Sequence, residues 1–213
     1  MQHVKFISIE GVEGAGKSTI VEFVKSYLQD AGIDAAFTRE PGGTELAEKI
    51  RNVLLHPETD EVIEAKTELL LMFAGREQHI MRRISPWLQA GKWVVSDRYI
   101  DASYAYQGGG RKIDISFIAA LDQHIVGDLY PDLTLLLDLP PQLGFERTAK
   151  RGAGKDRIEN EKLDFFNRVR DVYLQRASQY PQRIKIIDAS LALPEVKQQV
   201  AATLQTFLAS VSI

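Results

Sequence analysis

The chain has 213 residues, 45% of them hydrophobic and 26% charged, which suits one packed globular domain or one such domain with a lid. A net charge of -3 argues against a general nucleic-acid partner, and the absence of cysteine excludes disulfides, thiol catalysis and thiolate metal sites. No apolar run approaches the roughly 20 residues of a membrane span and no basic-then-apolar leader opens the chain, so a cytoplasmic protein with no membrane partner is expected.

In chain order, the β-branched and aromatic run Lys5 to Ile9 predicts a first strand. Gly11-Val12-Glu13-Gly14-Ala15-Gly16-Lys17-Ser18 then fits G-x-x-x-x-G-K-[ST] at every fixed position. Ile20, Phe23, Val24 and Leu28 follow at helical spacing, so strand, glycine loop and helix stand in the order that a phosphate cradle requires. Loop N–H groups through Thr19 and the helix N-terminus would hold the phosphates of a nucleotide. Lys17 would reach the β- and γ-phosphates, and the Ser18 hydroxyl would ligate Mg²⁺.

A second strand is expected at Ala35 to Thr38, closed by Pro41-Gly42-Gly43, and a helix from Thr44 to Leu55 with Thr44 as N-cap and acids in the first turn. A long helical region from about Glu61 to Leu88 would bend near Pro86. Strands follow at Trp93 to Ser96, Leu133 to Leu139 and Ile184 to Ile187. Apolar strands alternating with helices predict a parallel, doubly wound sheet whose ligands lie beyond the strand carboxyl ends. The glycine loop, Thr38-Arg39-Glu40, Asp97-Arg98 and Asp138 all fall at such ends.

Asp97, closing W-V-V-S-D, is placed to hold Mg²⁺ through water or to orient an attacking phosphate oxygen; the alternative is a helix cap or a partner for Arg98. Arg98 offers a bidentate phosphate fork at the same edge. Arg39, Arg51 and Arg76 become ligands only if the fold brings them together. Histidines 3, 56, 79 and 124 lack metal-ligand spacing.

Thr38 to Thr44 (T-R-E-P-G-G-T), Asp97 to Arg111 (D-R-Y-I-D-A-S-Y-A-Y-Q-G-G-G-R) and Asp156-Arg157-Ile158-Glu159 resemble bacterial thymidylate kinase over nearly the whole chain. That resemblance implies a three-layer P-loop nucleoside monophosphate kinase fold, an α/β domain over residues 1–213 with five parallel strands flanked by helices and a lid at about 147–160. It also implies Mg-ATP-dependent phosphorylation of dTMP to dTDP, by in-line transfer, in a homodimer. Arg76 and Arg98 would clamp the dTMP phosphate, with Arg51 nearby and Glu40-Pro41 beside them. Ser103 and Gln107 would meet the thymine edge, Tyr106 would pack on the sugar and disfavour a 2′-hydroxyl, and Glu13 would sit by the acceptor's 3′-hydroxyl and phosphate. The family's stacking phenylalanine falls at Met72 here, with Phe73 one position closer to Arg76; Met72 is the preferred stacker and Phe73 the more core-like residue.

The chain also resembles the class with no basic residue inside the loop, where Gly14 stands here, and with arginine supplied by the lid instead. Arg157 is the expected finger, supported by Arg151 and Lys155, and Arg147 would lie along the adenine. The pattern before Asp156 is one residue longer than the family's. The enzyme alternatives are another deoxynucleoside monophosphate kinase, or a deoxynucleoside kinase acting on an uncharged acceptor, the latter disfavoured by the arginine-rich acceptor side. A nucleotide switch is the non-enzyme alternative, disfavoured because N-K-x-D is missing and no D-x-x-G follows the third strand. The apolar stretch Leu69 to Ala74 is either a dimer face or core.

Overall fold

The computed structural model describes residues 4–151 and 156–211, apart from the side chains of residues 150 and 151. In chain order the elements are β1 (Phe6–Gly11), α1 (Lys17–Asp30), β2 (Ala35–Arg39), α2 (Glu45–Leu55), α3 (Ala65–His79), α4 (Ser85–Gln89) and β3 (Trp93–Asp97). They continue with α5 (Ile100–Ser103), α6 (Ile115–Ile125), β4 (Leu133–Asp138), α7 (Pro141–Arg151), α8 (Leu163–Gln179), β5 (Ile184–Asp188) and α9 (Leu193–Val211). Two π-helical segments, Ile80–Ile84 and Tyr104–Gly110, lie within this series.

All five strands are parallel, in the order β2-β3-β1-β4-β5, as the alternation of apolar runs and helices predicted. The central strand β1 is buried along its whole length because helices cover both faces of the sheet. Its side chains alternate between two cores. Ile7 and Ile9 pack with Ile20, Val24 and Leu204 of α1 and α9, while Phe6 packs with Leu69, Phe73, Ile84 and Tyr99. Register then fixes the chemistry, because Ile9 pairs with Asp97 and β1 ends two residues later at Gly11.

Thr44 caps α2 as expected, its hydroxyl accepting from the Ala47 N–H at 3.1 Å. The long helical region differs from expectation. It starts at Ala65, and the irregularity is the π turn at Ile80–Ile84 rather than a bend at Pro86, which sits in the first turn of α4 where its missing N–H does no harm. Asp138, at the end of β4, is held bidentately by Arg170 of α8 at 2.7 and 2.8 Å and serves that packing. Gly110 ends the π segment against the Phe165 ring, where a Cβ would collide with the ring atoms.

Candidate active site

The carboxyl ends of β1, β2 and β3 open into a cleft of 680 Å³, within the usual size of small-molecule sites. Glu13, Gly14, Gly16, Lys17, Ser18 and Thr19 line one end. Val12 and Ala15 lie buried beneath them and root the loop in the core. Lys17 Nζ donates to the carbonyls of Gly11 and Val12 at 3.0 Å each, folding the ammonium over the loop. Burial and the neighbouring Arg98 charge bring Lys17 down to about 8, against the opposing pull of Glu13, Asp97 and Glu10. Gly14 has φ +77°, and a Cβ there would stand 2.5 Å from the carbonyl oxygen of Gly144 on α7. The backbone of α7 therefore occupies the space that a basic side chain at this loop position would need.

Arg98 follows β3 with φ +68°, a left-handed conformation uncommon for any residue but glycine and concentrated at functional sites. Its Nη2 donates to Glu13 at 2.6 Å and Nη1 to the Gly11 carbonyl at 3.2 Å, with the guanidinium 4.7 Å from the centre of the Tyr106 ring. The Tyr106 hydroxyl donates to the other Glu13 oxygen at 2.6 Å. Burial alone would raise the Glu13 carboxyl, but Arg98, Lys17 and the Tyr106 hydroxyl hold it below the ordinary range, so it is ionised. Burial and Glu13 push Tyr106 far up and keep it a neutral donor. The strained backbone is pinned from behind, where the Tyr99 N–H donates to Glu10 at 2.7 Å and the Tyr173 hydroxyl donates to the same carboxyl at 2.7 Å. Burial, with Asp101 adding to it, pushes Glu10 up to about 8.

Asp97 and Ser18 both line the cleft, and the buried Oδ1 of Asp97 has no hydrogen-bond partner. An orphaned carboxyl oxygen in a cleft that a serine hydroxyl also lines fits a divalent cation. Among the described residues no group of three or more His, Cys, Asp or Glu could hold a metal, so such a cation would take its remaining ligands from phosphates and water.

Arg76 is buried at the far end. It donates from Nε to Glu40 at 2.8 Å, from Nη1 to Ser103 at 2.9 Å and from Nη2 to the Tyr99 carbonyl at 3.1 Å. Expected beside Arg98 on the acceptor phosphate, it lines the same cleft as Arg98 and is bonded here to Ser103, with one N–H left on each terminal nitrogen. Glu40 is shared with His79 Nδ1 at 3.0 Å. Arg51 lines the cleft and donates to the Pro41 carbonyl at 2.9 Å. Met72 faces the cleft too, whereas Phe73 is 1% exposed in the second core with Arg76 4.9 Å from its ring centre. The helix turns one of two adjacent residues inward, and Phe73 is not a lining residue.

Gln107 lines the same end and donates from Nε2 to Glu68 at 2.9 Å. Arg157 departs from expectation. Its Nη2 donates to Glu68 at 2.6 Å and its Nε to the Leu54 carbonyl at 2.7 Å, and it is absent from the cleft lining. Asp156, Ile158 and Glu159 line the cleft around it. Arg147 on α7 is a lining residue and donates to the Ala189 carbonyl at 2.9 Å and, at the limit of 3.5 Å, to that of Gly14. The side chain of Arg151 and the whole of Lys155 lie outside the described residues. Sequence reasoning missed Glu68 as a participant. The signal was available, since Glu68, Met72 and Arg76 recur every four residues on one face of α3.

Comparison with known proteins agrees with this geometry. The model of the thymidylate kinase family matches residues 9–200. The chain is 56% identical to the thymidylate kinase of Vesicomyosocius okutanii, covering 96% of this chain and 99% of that protein. It is 50% identical to that of Chromohalobacter salexigens over 97% of each. The crystal structure of thymidylate kinase from Ehrlichia chaffeensis superposes with a TM-score of 0.76 at 33% identity, covering 95% of this chain and 98% of the other. A glycine loop, an arginine with positive φ at the end of β3 and an arginine-lined cleft thus coincide with full-length similarity, and the chain belongs to the thymidylate kinase family of phosphoryl-transferring kinases.

Proposed function

We propose that the protein transfers the γ-phosphoryl group of ATP to dTMP, giving dTDP for dTTP synthesis. The observation that carries this reading is the Arg98–Glu13–Tyr106 cluster, which ties the end of β3 to the glycine loop at the junction between the two halves of the cleft. Donor phosphates in the loop would exchange the Gly11 and Val12 carbonyls for their own oxygens on Lys17. Arg98, fixed by Glu13 and by the loop carbonyl, would hold the acceptor phosphate facing the donor for in-line attack by its oxygen. The Tyr106 ring beneath Arg98 would pack on the sugar and favour deoxyribose. Met72, Arg76, Ser103 and Gln107 would receive the base, with Arg51 and the Glu40-Pro41 segment closing the acceptor side.

Ser18 and Asp97 would hold Mg²⁺, and the orphaned Asp97 oxygen supports this. Bound there, the ion would neutralise charge on the transferring group. The loop cannot supply a further cation at Gly14, Arg157 is engaged by Glu68, and Arg147 is held by two carbonyls. We therefore assign the transition-state arginine to Arg151, one turn beyond Arg147 on α7, and assign Arg147 to the adenine side.

A homodimer in the cytoplasm is part of the same reading. Leu46, Val53 and Leu70, about half exposed on the paired helices α2 and α3, offer an apolar face for it, and no described helix is long and apolar enough to cross a membrane. Sedimentation of the purified protein tests the dimer.

The activity is tested by ADP release from Mg-ATP with dTMP, dUMP, dCMP, dGMP and thymidine offered separately. Fast turnover with dTMP, slower with dUMP and none with thymidine is expected. Preference for another monophosphate would overturn the base assignment, and ATP turnover indifferent to every acceptor would overturn the kinase reading.

A further inference from the structure

Glu68 sits on α3 with no exposed surface, yet it forms no part of the cleft wall. Three side chains converge on it. Gln107 Nε2 donates to Oε1 at 2.9 Å, Arg111 Nε donates to Oε1 at 3.2 Å and to Oε2 at 3.0 Å, and Arg157 Nη2 donates to Oε2 at 2.6 Å. Burial would raise this carboxyl, but the Gln107 hydrogen bond and the Arg111 and Arg157 guanidinium groups keep it below its ordinary range. An ionised carboxylate accepts and never donates. The two ends of a glutamine amide have nearly the same shape but opposite hydrogen-bonding character, so a partner of one character decides which end points where. Facing Glu68, Gln107 must present its NH₂, which leaves the carbonyl Oε1 as the atom it can offer to the cleft.

The neighbouring groups have the opposite character. Arg76 retains an N–H on each terminal nitrogen after its bonds to Glu40, Ser103 and the Tyr99 carbonyl. The Ser103 hydroxyl oxygen accepts from Arg76, so its own proton is free to point elsewhere. The base end of the cleft thus places donors beside one fixed acceptor. A pyrimidine with a 4-oxo group and an N3–H matches that pattern. Cytosine, with a 4-amino donor and an N3 acceptor, opposes it at both atoms.

We propose that Glu68 is a positioning residue for base selection: by fixing the amide orientation of Gln107 it makes the site accept 4-oxo pyrimidine monophosphates and reject 4-amino ones. The proposal rests on the cleft being the dTMP site. It adds a source of selectivity outside the cleft, on a residue that never touches the substrate. Removing the charge while keeping the shape frees the choice. In a Glu68→Gln protein the facing amide either donates or accepts, so Gln107 can turn its NH₂ toward the base. Exchanging the two residues restores the pattern. In Glu68→Gln/Gln107→Glu the carboxylate now faces the base as an obligate acceptor, the glutamine supplies the donor behind it, and the net charge near Arg111 and Arg157 is unchanged.

The test is the ratio of kcat/KM for dTMP to that for dCMP in the wild-type protein, Glu68→Gln, Glu68→Gln/Gln107→Glu and Arg157→Ala. The ratio is expected to fall by about tenfold or more in Glu68→Gln, to recover in the exchanged protein and to survive in Arg157→Ala, which removes another Glu68 contact but leaves Gln107 anchored. A ratio unmoved by Glu68→Gln, or one that falls equally in Arg157→Ala and is not restored by the exchange, would overturn the proposal and leave the dTMP assignment standing. A wild-type protein that does not prefer dTMP would remove the assignment and the proposal together. Should Glu68→Gln not fold, NMR of the wild-type Gln107 side-chain NH₂, assigned by its loss in Gln107→Ala, decides. Slow solvent exchange both before and after dTMP addition is expected, and fast exchange in the free protein would overturn the proposal.

Discussion

Arg157 donates to Glu68 at 2.6 Å across 89 residues of sequence, and this pairing ties the segment after α7 to the helix that carries Met72 and Arg76. An arginine held there is expected to act on the shape of the cleft more than on the transferring group. Arg157→Ala is expected to lower stability by about 1–3 kcal/mol, since it strips a buried carboxylate of one partner, and to reduce kcat less than tenfold. Arg151→Ala is expected to reduce kcat by about a hundredfold or more with little change in melting temperature. Steady-state rates and thermal melts of the two variants separate the roles, and the reverse order of kcat losses would return the finger to Arg157.

The Lys17 proton gives a pH dependence. In the free enzyme Lys17 titrates at about 8, so its charge is present below that value and lost above it. Bound phosphates would hold the proton. The expected profile is a kcat/KM for ATP that falls above pH 8, approaching tenfold per pH unit, while kcat at saturating ATP stays level through the same range. Parallel falls in both parameters would place the titration elsewhere.

Glu10 predicts a pH dependence of stability. Below its ordinary value of 4.5 the group is protonated in folded and unfolded chains alike. Between 4.5 and about 8 only the unfolded chain has released the proton, so the folded state loses stability as pH rises through that window. Glu10→Gln keeps the shape without the proton. Its melting temperature is expected to match that of the wild-type protein near pH 5 and to exceed it near pH 8.5. Parallel curves would show that Glu10 is ionised throughout and that its two donors outweigh its burial.

Asp97 predicts a metal effect. With its Oδ1 unpartnered, Asp97→Asn has no protein contact to lose on that side, so the fold should be undisturbed. The Mg²⁺ concentration for half-maximal rate is expected to rise by about tenfold or more. An unchanged Mg²⁺ titration would reassign Asp97 to orienting the acceptor.

The parts of this fold that were legible in the sequence are those governed by short repeats. β1, β3 and β4 announce themselves as apolar runs because both faces of each are covered, and the glycine loop is a local pattern of backbone-permissive residues. What the sequence did not disclose are charges whose partners are distant. Nothing near Arg157 points to Glu68, and nothing near Arg76 points to Glu40 and Ser103, 36 and 27 residues away. Local pattern offers Arg157 as a lid cation and Arg76 as a phosphate clamp, whereas their contacts with Glu68 and with Glu40 and Ser103 are set by the fold. Met72 and Phe73 were separable only once the phase of α3 against the sheet was known. The π turn at Ile80–Ile84 has no composition signature and displaced the expected irregularity from Pro86.

The close approach of Gly14 and Gly144 couples the two positions sterically: a Cβ at Gly14 would stand 2.5 Å from the Gly144 carbonyl oxygen, and one at Gly144 would come closer still to the Glu13 carbonyl oxygen. A basic residue at position 14 would require α7 to sit farther away, and with α7 packed down a cation for the transferring group would have to come from outside the loop. Single-residue drift between the two arrangements would pass through a protein with the loop forced open. Chimeras that exchange the loop alone between the two arrangements should therefore be inactive, and those that exchange the loop together with α7 should work.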